Sequence, residues 1–213
     1  MIADYSNRTV GEYLDALASS APAPGGGSAV AFAGALAASL AEMVCRLSIG
    51  RVEASDVDAE LHVALETASS LRGRLQQLAA EDAAAYASYV AATGLPKSSA
   101  EEQAERRTRM QAALRTAADV PSDIAAACSR LFDMLEPIGR LGNRHVLSDV
   151  EVAAFLTAAA IRGATANIRV NARLMRDREI AQGYLDRATE IESGIQPAAD
   201  EILAIVQRRL GHA

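Results

Sequence analysis

The side chains of this sequence best placed to do chemistry are two acids, one lysine and a few amides. Asp82 stands in Ala79-Ala80-Glu81-Asp82-Ala83-Ala84-Ala85-Tyr86, where small neighbours leave space beside a carboxylate. Asp149 follows Ser148 at a predicted helix start, and Lys97 follows Leu95-Pro96 close to another, an unusual place for a cation given the helix dipole. Each acid has a plain reading beside the chemical one: Asp82 as an exposed helix acid, Asp149 as a complement to the dipole. Asn167 and Asn171 fall four residues apart on one face of an otherwise apolar helix, and Gly142-Asn143 forms a loop pair. Amides are poor helix formers, so two on one face point to a buried hydrogen-bonding site or a subunit contact.

The segment Pro22-Ala23-Pro24-Gly25-Gly26-Gly27-Ser28 opens onto an alanine-rich apolar run. Three bare glycines allow close approach of another group, and Ser28 is expected to cap the helix that follows, so that free N–H groups converge at its start. Such a terminus receives anions or carbonyl oxygens; a plain turn before a buried helix is the other reading. Phosphate-loop, zinc-protease, nucleophile-elbow and dinucleotide signatures are missing, and His62, His145 and His212 are too scattered to suggest a metal site. Activity therefore has to rest on carboxylates, amides, backbone N–H groups and Lys97.

These residues need a frame. The chain has 213 residues, enough for one domain with a sizeable core and too few for two comfortable ones. Hydrophobic residues make up 50% but aromatics only 4%, so alanine and leucine carry the apolar content, as in helices packed through small side chains. A net charge of −6 argues against nucleic acid as main partner, and the basic cluster Arg106 to Arg115 reads as a solvated helix face. In Ala29–Leu47, the run nearest to a membrane span, Glu42 and Arg46 interrupt the far end, so a buried or subunit-contacting helix is expected. Met1-Ile2-Ala3-Asp4-Tyr5 does not read as a signal peptide, and Cys45 and Cys128 read as reduced, buried thiols, so the expected location is cytoplasmic.

Thr9-Val10-Gly11-Glu12 has the form of a capping box and predicts a short helix ending near Ala18. Long helices are expected from about Ser28 to Ser48, from Ser55 to Thr93, and from Ser98 or Ser99 onward, the last kinked or split at Pro121. Ser148, with Glu151, is expected to cap a helix running to about Arg176, and two final pieces divide near Gly194 and Pro197. The reading is all-α, an antiparallel bundle of long helices in a single domain, 1–213.

Pro24-Gly25-Gly26-Gly27 with Met43-Val44-Cys45, then Asp82, Leu95-Pro96-Lys97, Glu101-Glu102 and Arg106 occur in an order that resembles the cyclodeaminase/cyclohydrolase family of folate enzymes. Val120-Pro121, Gly142-Asn143, Ser148-Asp149, and Asn167 with Val170-Asn171 extend the resemblance over nearly the full length. It departs at Arg51-Val52-Glu53, where the family usually has a lysine-rich stretch, and at His145, which reads as a surface residue, with a local addition to the site as the other reading. The resemblance implies an all-helical homodimer with a tetrahydrofolate pocket, no metal and no cofactor beyond the folate substrate. It further implies hydrolysis of 5,10-methenyltetrahydrofolate to 10-formyltetrahydrofolate, with cyclodeamination of 5-formiminotetrahydrofolate as the close alternative. A non-catalytic helical assembly module is a third possibility, which leaves the glycines and amides without a purpose. Asp82 and Asp149 are the implied carboxylates that hold the cation and accept a proton from water, and Lys97 is the donor to the leaving nitrogen or the group that orients the adduct oxygen. Pro24, Gly25, Gly26, Gly27, Ser28, Arg106, Asn143, Asn167 and Asn171 would bind the substrate.

Overall fold

A computed structural model describes residues 8–51 and 55–211, so Val52, Glu53, His212 and the segment 1–5 lie outside the described residues. Six α-helices and one 3-10 turn follow each other: α1 (Val10–Leu17), α2 (Gly26–Ser48), α3 (Ser55–Thr93), α4 (Ala100–Leu141), the turn Arg144–Val146, α5 (Leu147–Leu174) and α6 (Arg178–Leu210). Among the described residues there is no strand, and short turns send α3, α4, α5 and α6 back and forth against one another. The expected all-helical bundle is what the chain forms.

The centre of the bundle is α2, which packs against α3, α4 and α5. Its alanines make this possible: Ala31, Ala37, Ala38 and Ala41 are fully buried, and neighbouring backbones come close over them. At Gly34 a Cβ would stand 2.7 Å from the Cys128 sulfur, and at Gly163 of α5 one would stand 2.3 Å from Val30, so both crossings require glycine. Cys45 and Cys128 are free thiols inside this core. By length and mean hydropathy, 1.7 over its most apolar stretch, α2 meets the measure of a membrane span, yet more than half of that stretch is buried among its neighbours. Glu42, buried within α2, is paired with Arg72 at 2.5 Å and Arg46 at 3.4 Å.

Three helix boundaries differ from expectation. Ser28 is not the cap of α2: the helix begins two residues earlier, with Gly25 in the cap position and no side-chain cap. Ser148 does not cap α5 either; the turn Arg144–Val146 precedes that helix, and Asn143 caps the turn by accepting the His145 N–H at 3.1 Å. Pro121 and Pro197 interrupt neither α4 nor α6. Around Pro197 the residues Ile195, Ala199 and Ile202 stay buried on one face, while Ser193, whose carbonyl the proline frees, is exposed and can bond to water. The box at Thr9 and Glu12 forms as expected, as does the one at Ser99 and Glu102.

Candidate functional site

Where α2 begins, its first turn meets α3 and α5. Ala29 is the first residue to close a helical bond, to the Gly25 carbonyl at 3.0 Å, so the N–H groups before it need other acceptors. The Ser28 N–H donates to Asp82 Oδ2 at 3.0 Å, and the Ser28 hydroxyl sits 3.1 Å from that of Tyr13. Gly26 and Gly27 have no acceptor for theirs among the described residues. Gly27 has to be glycine: a Cβ there would lie 2.0 Å from Asp82 Oδ1. A Cβ at Gly26 would instead come within ordinary contact, 3.9 Å, of the Asn167 amide. The glycines thus separate a carboxylate on one side from an amide on the other.

Between them opens a cavity of about 300 Å³. Its lining comprises Pro22, Ala23, Gly25, Gly26 and Gly27 from the loop, Asp82, Ala83, Ala85, Tyr86 and Tyr89 from α3, Ala117 from α4, and Asn167, Val170, Asn171 and Leu174 from α5. Asp82 forms no salt bridge among the described residues, unlike Glu42, so its charge is answered only by the Ser28 N–H. Burial pushes the Asp82 carboxyl above the ordinary carboxylate range, and the Ser28 hydrogen bond offsets this only in part. Asn167 makes no hydrogen bond among the described residues, whereas Asn171 Nδ2 donates to the Ala117 carbonyl at 2.5 Å. A carboxylate, two free N–H groups and two amides around an apolar floor can bind a flat, polar-edged cation and take a proton from a water beside it. Among the described residues no three potential metal-binding side chains of His, Cys, Asp or Glu come together.

The cavity gathers Gly25, Gly26, Gly27, Asp82, Asn167 and Asn171, with Pro24 and Ser28 buried just behind. Other expected site residues lie elsewhere in the chain. Lys97 is exposed in the α3–α4 turn, beyond Thr93 and so about three helical turns from Asp82, too far for a side chain to bridge. Arg106 caps α3: its Nε and Nη2 both donate to the Thr93 carbonyl at 3.1 Å. Asn143 Nδ2 donates to the Leu47 carbonyl at 3.1 Å, at the opposite end of α2 from the glycines. Asp149, in the first turn of α5, stands about 27 Å along that helix from Asn167. Tyr86, Tyr89, Val170 and Leu174 line the cavity although none was among the expected site residues; their spacing from Asp82 and from Asn167 puts them on the same helix faces.

A model of the formiminotransferase-cyclodeaminase family matches residues 9–190. The chain belongs to that family. Methenyltetrahydrofolate cyclohydrolase of Methylorubrum extorquens is 41% identical over 186 residues, covering 87% of this chain and 88% of that protein. Formimidoyltransferase-cyclodeaminase of Rattus norvegicus is 31% identical over 187 residues, 88% of this chain but 35% of its own length. The solved structure of formiminotetrahydrofolate cyclodeaminase from Thermotoga maritima superposes with a TM-score of 0.85 at 28% identity, covering 95% of this chain and 98% of that one. Within this formiminotransferase-cyclodeaminase family, the chain therefore matches a stand-alone cyclohydrolase over most of both lengths and the two-activity enzymes over one part only.

Proposed function

We propose that this chain hydrolyses 5,10-methenyltetrahydrofolate to 10-formyltetrahydrofolate, and that the cavity at the start of α2 is where it does so. The observation that carries this reading is Asp82: a half-buried carboxylate that among the described residues has no salt-bridge partner and stands beside two N–H groups without acceptors. The methenyl substrate supplies the missing positive charge in its amidinium carbon, which bridges two nitrogens. Asp82 takes a proton from the attacking water, and the N–H groups of Gly26 and Gly27 receive the oxygen of the tetrahedral adduct. Collapse breaks the bond to N5, which leaves with a proton, while the adduct oxygen loses its own to form the formyl group. One proton is released overall. With Lys97 of the same chain out of reach, the protonated Asp82 is the group that returns a proton to N5, and its raised pKa suits both duties. Asn167 and Asn171 bond the edge of the pterin, and Tyr86, Tyr89 and Val170 cover its face.

The cyclohydrolase relative, at 41% identity over most of both lengths, favours hydrolysis over cyclodeamination. The decisive experiment follows the methenyl chromophore and, separately, ammonia release from 5-formiminotetrahydrofolate. Loss of the chromophore well above the uncatalysed rate is expected; ammonia release without it would make the chain a cyclodeaminase. A homodimer working in the cytoplasm belongs to the same proposal. Its support is an apolar outer face on the adjoining helices α2 and α5, where Leu36 is 60% exposed and Phe155 57%. Sedimentation at micromolar concentration is expected to give twice the chain mass.

A further inference from the structure

Pro121 lies inside α4 and has no N–H to give to the carbonyl four residues back, which is that of Ala117. The donor comes from another helix: Asn171 Nδ2 of α5 reaches this carbonyl at 2.5 Å. A carbonyl only accepts, so the nitrogen of the amide has to face it, and Oδ1 is the atom left over for a ligand. Ala117 and Asn171 both border the cavity. Asn167, one turn earlier on α5, has no such partner among the described residues, so nothing there fixes which way its amide turns. One wall therefore carries an amide of fixed polarity beside an amide of free polarity.

Resting on the folate reading, we infer that Pro121 is a positioning residue. By freeing the Ala117 carbonyl it locks the Asn171 amide with Oδ1 available, so that this wall accepts a hydrogen bond from an N–H edge. The 2-amino-4-oxo ring of a reduced pterin offers such an edge, whereas a ligand presenting a carbonyl at the same point meets oxygen against oxygen. The residue acts on binding and takes no part in moving protons.

In the unmodified protein the Asn171 side-chain amide is expected to give an NMR signal with one proton shifted downfield and slow to exchange; Asn171→Ala identifies it by removing it. Pro121→Ala supplies the missing N–H, the helix closes its own bond to Ala117, and the signal moves to the position of a free amide. In turnover of the methenyl compound, Pro121→Ala and Asn171→Ala each raise KM about tenfold with kcat within about twofold of wild type. The double variant is no worse than Asn171→Ala alone, because the proline acts through the amide. Pro137→Ala, about four turns further along α4, leaves KM unchanged and controls for removing a proline from this helix. Multiplied penalties in the double variant, a wild-type KM in Pro121→Ala, or an amide signal that Pro121→Ala leaves in place overturns the inference. Should Pro121→Ala not fold, Asn171→Asp carries the test by setting an oxygen against the Ala117 carbonyl, and a wild-type KM there overturns it equally. A chain without methenyl turnover removes the folate reading, while the amide signal still decides the orientation.

Discussion

The two ends of α2 carry similar polar residues and put them to opposite uses. At its C-terminal end the Ser48 hydroxyl donates to the Val44 carbonyl at 2.5 Å and receives the Asn143 N–H at 2.7 Å. The Asn143 side chain bonds the Leu47 carbonyl and the His145 N–H, and Arg209 reaches the carbonyls of Gly139 and Gly142 at 2.9 and 2.7 Å. Each of these groups has its partner within the chain. At the N-terminal end, about 33 Å away, the Gly26 and Gly27 N–H groups and the Asn167 amide have none among the described residues, and Asp82 has no salt-bridge partner among them. Polar groups that satisfy one another hold helices in place; polar groups left open beside a cavity are available to a ligand. Of the motif residues read from the sequence, Asn143 falls with the first kind, and the glycines, Asp82 and Asn167 with the second.

The largest effect is expected at Asp82. Asp82→Asn keeps an acceptor for the Ser28 N–H but removes the base, and kcat should fall by about 10³-fold. In the wild-type enzyme kcat/KM should fall as pH is lowered through the raised pKa of this carboxyl, so the acid limb stands above the ordinary carboxylate range. The effect on stability has the opposite sign. A carboxyl whose folded pKa is raised binds its proton more tightly in the native state, so its ionisation weakens the fold as pH climbs from the unfolded to the folded pKa. Asp82→Asn should therefore melt no lower than wild type at pH 7, and higher if the Ser28 bond is retained. A variant that loses both turnover and melting temperature would put Asp82 with the structural groups and erase the contrast between the two ends.

Gly27→Ala probes the same end through the backbone. The added Cβ would meet the Asp82 carboxylate at 2.0 Å, so either the loop or the acid has to move. Misplacement of this order is expected to lower kcat/KM by about 100-fold. Gly25→Ala sharpens the comparison, since a Cβ there meets nothing within 4 Å and the residue is extended rather than left-handed, with φ −135°. Activity close to wild type is expected for that variant. Steady-state rates of the pair separate a site that depends on close approach from one that merely tolerates glycine.

Much of the frame was legible in the sequence because its signals are local. The capping box at Thr9 and Glu12 and the spacing of Leu61, Leu71, Leu75 and Leu78 depend only on neighbours along one helix, and they fixed α1 and α3. What the sequence did not reveal depends on other helices. Pro121 fails to split α4 because it is buried among flanking core residues such as Val120 and Ile124, and because an amide from α5 satisfies the carbonyl it frees. Of the lining of the candidate cavity, the glycines, Asp82 and the two asparagines were readable as candidates. Asn143 and Asp149 repeat the residue types of Asn167 and Asp82, and Lys97 and Arg106 are as polar, but only the packing of the helices tells that each lies away from the cavity.

The smallest effect on activity is expected at the closed end. Asn143→Ala removes the bond to the Leu47 carbonyl and the acceptor for the His145 N–H, and should lower stability by about 1–2 kcal/mol. Its kcat and KM should stay within about twofold of wild type once the protein is folded, and Asp149→Asn should do the same with even less change in melting. Chemical denaturation and rate measurements on one preparation check both quantities together. Two of the residues named as site candidates from their sequence context then act on folding or not at all. The outcome that would break the comparison is a stable Asp149→Asn enzyme with strongly reduced kcat, because within one chain Asp149 cannot reach Asp82. Activity would then have to return on mixing Asp149→Asn with Asp82→Asn subunits, which is the behaviour of a site shared between two copies.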